Sequence, residues 1–248
     1  MRIRFPKYGI RLMAGLLAVL IAPSACTSSE HPGDEAHYEI RADTSREGTG
    51  RVYRGREIAR SLPEGHLWFE RRAREVEELP ERLVEALDLK ADDFVADIGA
   101  GTGYLTFRIS ARVPSGRVYA VDIDPAMLDT IRARMAERNV RNVTPVLGSE
   151  ADPHLPEGVV DVALIVASYH EFSHPYEMMR HIVEALRPGG RVVIVEYRGE
   201  DATIPVPERH RMTEAQVRDE MAAVGLIWRE TKTILPQQHF MVFERPME

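Results

Sequence analysis

Asp97, Gly99, Gly101, Gly103 and Tyr104 fall within the ten residues VADIGAGTGY, at the end of an apolar strand-like run. Alternating glycines lack the Cβ atoms that hold a backbone away from a ligand, so this loop can turn sharply and be approached closely. The acid before it can accept a hydrogen bond from a cationic ligand group. The segment after it, YLTFRISARV, has a helical pattern, so the loop opens onto a helix start with free N–H groups. Asp122 comes 23 residues after Gly99, where a nucleotide-binding βαβ unit places the carboxylate that accepts from ribose hydroxyls. A dinucleotide fingerprint would need GxGxxG, but the third glycine comes one place early and Tyr104 fills the sixth slot.

A second constellation is Tyr169, His170 and Glu171, which directly follow the apolar run VVDVALIVAS. These side chains could position or deprotonate a substrate group, or they could close a strand by packing and capping. His210 and His239 are further candidates, and for each alone a structural histidine is the expectation. His170 to His174 also match HExxH, the zinc-protease pattern, whose histidines must lie one helical turn apart. Pro175 follows at once and removes the backbone donor that such a helix needs. A third ligand at metzincin spacing would fall on Arg180, and Glu196 sits inside a predicted strand. No metal ligands are therefore assigned, and a metalloprotease stays only as a rival reading.

Strands and helices must alternate to position these groups. RVYAVDIDPAML reads as a strand ending in an acid, then a Pro-led helix, with Asp124 as its cap. VVDVALIVASY is near-continuously apolar, as in a strand buried on both faces of a parallel sheet. HIVEALRPGGRVVIVEYR gives a helix, a Pro-Gly-Gly break and a β-branched strand. GLIWRETKTIL and HFMVFER, around Pro236, read as a closing antiparallel pair. The fold class is α/β, with a mainly parallel sheet, one antiparallel edge hairpin and helices on both faces.

The acid, the GxGxG loop, the second acid and the RPGG strand, in that order, resemble class I S-adenosylmethionine-dependent methyltransferases. The resemblance covers roughly residues 56–248 and implies a Rossmann-like seven-stranded sandwich that transfers a methyl group from S-adenosylmethionine. It implies cofactor contacts from Asp97 to the amino-acid ammonium, from Asp122 to the ribose, and from Gly99, Gly101, Gly103, Tyr104 and Ile123 around them. An acid after the third strand would meet adenine, and both Glu150 and Asp152 are open for that role. Tyr169, His170 and Glu171 would then face the methyl acceptor, implied to be a small molecule. The YHEF, EYRGED, HRMTEAQV and LPQQHF segments resemble bacterial members similar to the quinone-biosynthesis type. The arsenite branch depends on several cysteines, whereas Cys26 is the only one here. The alternative from another class is a non-catalytic cofactor-binding protein.

The N-terminus points to the cell envelope. Arg2, Arg4, Lys7 and Arg11 precede LMAGLLAVLIA, an apolar run of 11 residues, as in a secretory signal over 1–25. Cys26, right after it, resembles a bacterial lipoprotein acylation site, although Pro23 stands where leucine is usual; ordinary cleavage after Ser24 competes. Residues 26–55 are polar and read as a flexible tether, and 56–90 as a helical cap of the 56–248 domain. Without the signal's four cations the formal charge is −7 − 4 = −11, the wrong sign for nucleic acid. A membrane is met only through the lipid on Cys26.

Overall fold

A computed structural model describes residues 37–42, 46–61 and 70–247 of the chain. The signal and Cys26 lie outside them. No helix among the described residues is long and apolar enough to cross a membrane.

Seven strands form one sheet in the order β10-β11-β8-β7-β4-β5-β6. They are β4 (Phe94–Ile98), β5 (Arg117–Asp122), β6 (Val143–Leu147), β7 (Val160–Val166), β8 (Leu186–Arg198), β10 (Ile227–Lys232) and β11 (Gln238–Glu244). The two-residue β9 (Arg211–Met212) adds alongside β8. Strands β4 to β8 pair in parallel, while β11 runs antiparallel to both β8 and β10. The expected hairpin therefore forms, with its second strand inserted next to β8.

The near-continuous apolar runs follow from burial on both faces. Val162 and Leu164 of β7, with Val193 and Val195 of β8, enter the core cluster on one face. Their alternates Ala163, Ile165, Val192 and Ile194 enter the other. Helices α2 (Pro80–Ala86), α3 (Thr106–Arg112) and α4 (Pro125–Arg138) supply Leu83, Ile109 and Leu128 to the first. Helices α5 (Pro175–Ala185) and α6 (Glu214–Ala222) supply Met179 and Val217 to the second. Proline opens α2, α4 and α5, where its missing N–H costs no helical bond.

The N-terminal part departs from the expected tether and helical cap. Between residues 37 and 59, β1 (Tyr38–Ile40), β2 (Gly48–Tyr53) and β3 (Arg56–Ala59) form a separate antiparallel sheet. Tyr53 pairs with Arg56 across Arg54-Gly55, and both turn residues have positive φ, 49° and 86°. That is the type I′ geometry that two-residue hairpins favour. Val52, Tyr53 and Ile58 are buried, so these strands are part of the packed protein. The described helical lead-in reduces to α1 (Arg74–Glu77) and α2.

Candidate active site

Strand β4 delivers Asp97 to the sheet's C-terminal end, and the glycine loop turns back over it. Gly99 and Ala100 both donate their N–H to Val121 O at 2.9 Å, which requires a sharp reversal. Gly99 makes it at φ +72°, and a Cβ there would stand 3.0 Å from Ser168 Oγ. Asp97 is buried, and its Oδ2 accepts from Thr106 Oγ1 at 2.6 Å. Burial lifts its pKa to about 6, against the Thr106 bond and with help from the charge on Asp122. A buried carboxylate held off its preferred state is suited to meet a ligand cation.

Asp122 ends β5 and ties the loop down. Its Oδ2 accepts from Gly101 N at 2.8 Å and its Oδ1 from Asp124 N at 2.9 Å. Burial raises its pKa as well, opposed by those backbone donors. Asp124 caps α4 as expected, accepting from Ala126 N at 2.8 Å. Ile123 next door is 59% exposed, as is much of Leu147, the register partner of Asp122. Exposed apolar side chains beside a carboxylate suit a flat base joined to a sugar.

The segment before β4 closes over this loop. Glu70 bonds Thr102 Oγ1 and Arg134. Tyr104 Oη donates to Glu75 Oε1 at 2.5 Å, and its ring lies under the Arg74 and Arg108 guanidiniums at 4.1 and 4.2 Å. Arg74 is buried and pairs with buried Glu78, which Arg71 also meets, while Glu75 stays exposed and pairs with Arg108. Helix α3 starts only at Thr106, so Gly103 and Tyr104 lie in the turn before it.

Ser168 faces the loop from the other side. Ala167, at φ +47°, bends the chain out of β7, and Ser168 Oγ is left buried with no hydrogen-bond partner. An unsatisfied buried hydroxyl is costly, so Ser168 Oγ can accept a partner from outside the chain. Together with two carboxylates and the glycine cradle it fits the ammonium, ribose and base of S-adenosylmethionine.

Beyond Ser168, four side chains meet that are far apart in sequence. His170 Nδ1 lies 2.8 Å from Glu196 Oε2, and His170 Nε2 lies 3.1 Å from His210 Nδ1. Glu171 Oε1 stands 3.4 Å from His210 Nδ1, and Glu171 Oε2 accepts from Ser61 Oγ at 2.8 Å. His170, Glu196 and His210 are buried. Burial opposes charge on His170, but Glu196 and Glu171 outweigh it and raise its pKa to about 9. Burial likewise works against the Glu171 carboxylate, and its bonds to both histidines hold it well below the usual carboxylate range. A histidine that keeps its proton at pH 7 is poorly placed to be a general base.

The other sequence candidates separate. Tyr169 is fully buried against Phe172 at 5.4 Å and belongs to the core. His239 pairs with Glu200 at 2.8 Å, whereas His210 meets His170. Glu150 accepts from Ser173 Oγ at 3.0 Å, while Asp152 Oδ1 accepts from His154 N in its own turn. The HExxH helix does not form: His170 and Glu171 lie in a short 3-10 turn and α5 starts after His174. His174 Nδ1 is instead 3.6 Å from Glu150.

Sequence reasoning passed over Ser168, Glu196 as a histidine partner, and the Glu70–Thr102 closure. The apolar run that ends at Ser168 was the available signal.

Residues 95–190 match the family model described as "Methyltransferase domain". The ubiquinone/menaquinone biosynthesis C-methyltransferase UbiE of Pseudomonas putida is 30% identical over 116 residues, 46% of this chain and 45% of that protein. The chain thus spans less than half the length of the curated relatives it matches. A SAM-dependent methyltransferase from Aquifex aeolicus is similar in fold, with a TM-score of 0.69 at 20% identity over 75% of this chain and 99% of that one. The [4+2]-cyclase SpnF follows the same fold at a TM-score of 0.60 and 17% identity, covering 68% of this chain and 81% of its own. Residues 95–190 thus match a methyltransferase domain, and the strand order around them is that of class I methyltransferase structures.

Proposed function

We propose that this chain transfers a methyl group from S-adenosylmethionine to a small acceptor. The observation that carries this is the placing of Asp97 and Asp122 at the ends of adjacent parallel strands, beside the sharp turn at Gly99. When bound, S-adenosylmethionine supplies a methyl group on a sulfonium, which needs alignment and dryness more than acid–base help. Asp97 holds the ammonium, Asp122 the ribose hydroxyls, and Ser168 Oγ gains the partner it lacks. His170 and Glu171, beyond Ser168, form the acceptor end. The UbiE relative's name suggests a ring carbon of a quinol as one acceptor class to try first.

Calorimetry of the purified chain with S-adenosylmethionine and with its demethylated product tests the donor half. Saturable heat with both is expected, and none with either at millimolar concentration sinks the reading. Release of the demethylated product in the presence of quinols or phenols tests the transfer. Binding without release from any acceptor would favour a non-catalytic cofactor-binding role.

A further inference from the structure

Three ligand-type atoms at the end of β7 are spaced like one face of a coordination polyhedron. His170 Nε2 is 3.1 Å from His210 Nδ1. Glu171 Oε1 is 3.4 Å from His210 Nδ1 and 3.6 Å from His170 Nε2. Nitrogen and oxygen ligands at about 2.0–2.2 Å from one tetrahedral ion stand about 3.3–3.6 Å apart; the two edges to Glu171 fall in that range and the edge between the histidines is slightly shorter.

The surroundings are those of a built site. Glu196 is fully buried, and its carboxylate takes the His170 Nδ1–H at 2.8 Å. That bond keeps the Nδ1 proton in place and turns Nε2 toward the triangle, where an ion would displace its proton, as in carboxylate–histidine–metal relays. Glu196 also accepts from His170 N at 3.3 Å, so the ring is held through both backbone and side chain. Ser61 Oγ holds the second oxygen of Glu171 in the same way. The three candidate ligands come from two turns fixed to the sheet: Tyr169–Glu171 after β7, and Glu208–His210 leading into β9.

We propose that His170, Glu171 and His210 bind one divalent transition ion, with positions left open for an oxygen donor of the methyl acceptor. Two imidazoles and one carboxylate suit zinc or ferrous iron and are a poor set for magnesium or calcium. Three protein ligands with open positions are the pattern of an ion that works on a substrate rather than one that only holds the fold. The ion site rests on this geometry alone; its role toward the acceptor rests on the methyltransferase reading. Ser168 abuts the glycine loop two residues before His170, so the ion would stand at the acceptor end. An enol or phenol oxygen bound there would lose its proton to water, which removes the need for a side-chain base.

The test is metal binding by the chelator-stripped full chain, using zinc by calorimetry and cobalt by visible absorption. One equivalent per chain is expected, with a cobalt spectrum of low-coordinate nitrogen and oxygen ligation. His170→Ala and His210→Ala should each abolish it, Glu196→Gln should weaken it by about 10–100-fold, and His174→Ala should leave it unchanged. Affinity for S-adenosylmethionine reports that each variant remains folded. A wild-type cobalt spectrum identical to the hydrated ion overturns the site, as does one-equivalent binding that survives both histidine variants. Metal binding without cofactor binding would keep the ion site and remove the methyltransferase reading, and the converse would do the reverse.

Discussion

Asp122 and Gly101 are joined by a 2.8 Å hydrogen bond from backbone to carboxylate, so the acid proposed to meet the ribose is also the anchor of the glycine loop. Asp122→Ala should therefore lose stability as well as cofactor affinity, by about 1.5–3 kcal/mol for a bond to a charged group. Asp122→Asn keeps one acceptor oxygen and should fall between. Urea unfolding and calorimetry check this together, and an Ala variant with wild-type stability but no binding would show that the loop stands without its anchor.

Gly99 and Ser168 compete for the same space. Gly99→Ala places a methyl group 3.0 Å from Ser168 Oγ, in a φ region that costs an L-residue about 1–2 kcal/mol. Ser168→Gly should relieve the crowding but not the backbone strain, so the double variant should be less unstable than the two single losses added. A coupling of about 0.5–3 kcal/mol is expected for groups in contact. Strict additivity would show that the two residues do not meet.

Asp97 makes folding and binding depend on pH in opposite senses. Its folded pKa, lifted to about 6 from 3.8 by burial, means the folded state binds the proton more tightly than the unfolded chain. Stability from this group is fully present below pH 3.8, falls as pH rises toward 6, and stays lower above that. Two pKa units correspond to about 3 kcal/mol, so Asp97→Asn should melt higher than wild type at pH 7–8, with the gap closing near pH 4. A ligand ammonium favours the charged form, so wild-type affinity for S-adenosylmethionine should weaken below pH 6. A gap in melting temperature that is constant with pH would contradict the burial argument.

Arg56 on β3 grips Glu220 on α6 with two bonds of 2.7 and 2.9 Å, and the Glu220 side chain is fully buried. Arg56 Nη1 also donates to His170 O at 3.0 Å. Breaking such a pair from one side, as in Arg56→Met, should cost about 3–5 kcal/mol by stranding a buried charge. Arg56→Met with Glu220→Leu should recover much of it. Chemical denaturation of the single and double variants decides, and a double variant no better than the single one would deny that stranded charge is the cause.

The proposed envelope anchor is a separate matter, resting on Cys26 after its short apolar run. Cys26→Ser should move the protein from the membrane fraction to a soluble one. Retention on membranes, or a mature wild-type chain starting at Ala25 without lipid, would end the lipoprotein proposal.

What the chain reveals by reading depends on how local each feature is. Asp97, Gly99 and Asp122 sit in short motifs whose residue types follow from strand ends and tight turns, and the structure places all three together. The alternating burial of β7 and β8 was likewise written in their β-branched runs. His210 was not legible, because its meeting with His170, 40 residues away, depends on β9 returning beside β8. Strands β2 and β3 were hidden for another reason. GTGRVY and REIA carry too much glycine and arginine for an apolar alternation, and only the Arg54-Gly55 turn betrays them.

The grip of Arg56 on Glu220 also says where this protein may be cut. The stretch that looks like a methyltransferase, 95–190, carries the loop and both acids but neither partner of that pair. It also leaves out Glu70, Glu75 and His210, which close the loop and complete the histidine cluster. A chimera or minimal fragment drawn at the borders of family likeness would separate the recognisable sequence from the residues that complete its site. For this chain the segment inherited in common and the unit that works are different lengths of polypeptide.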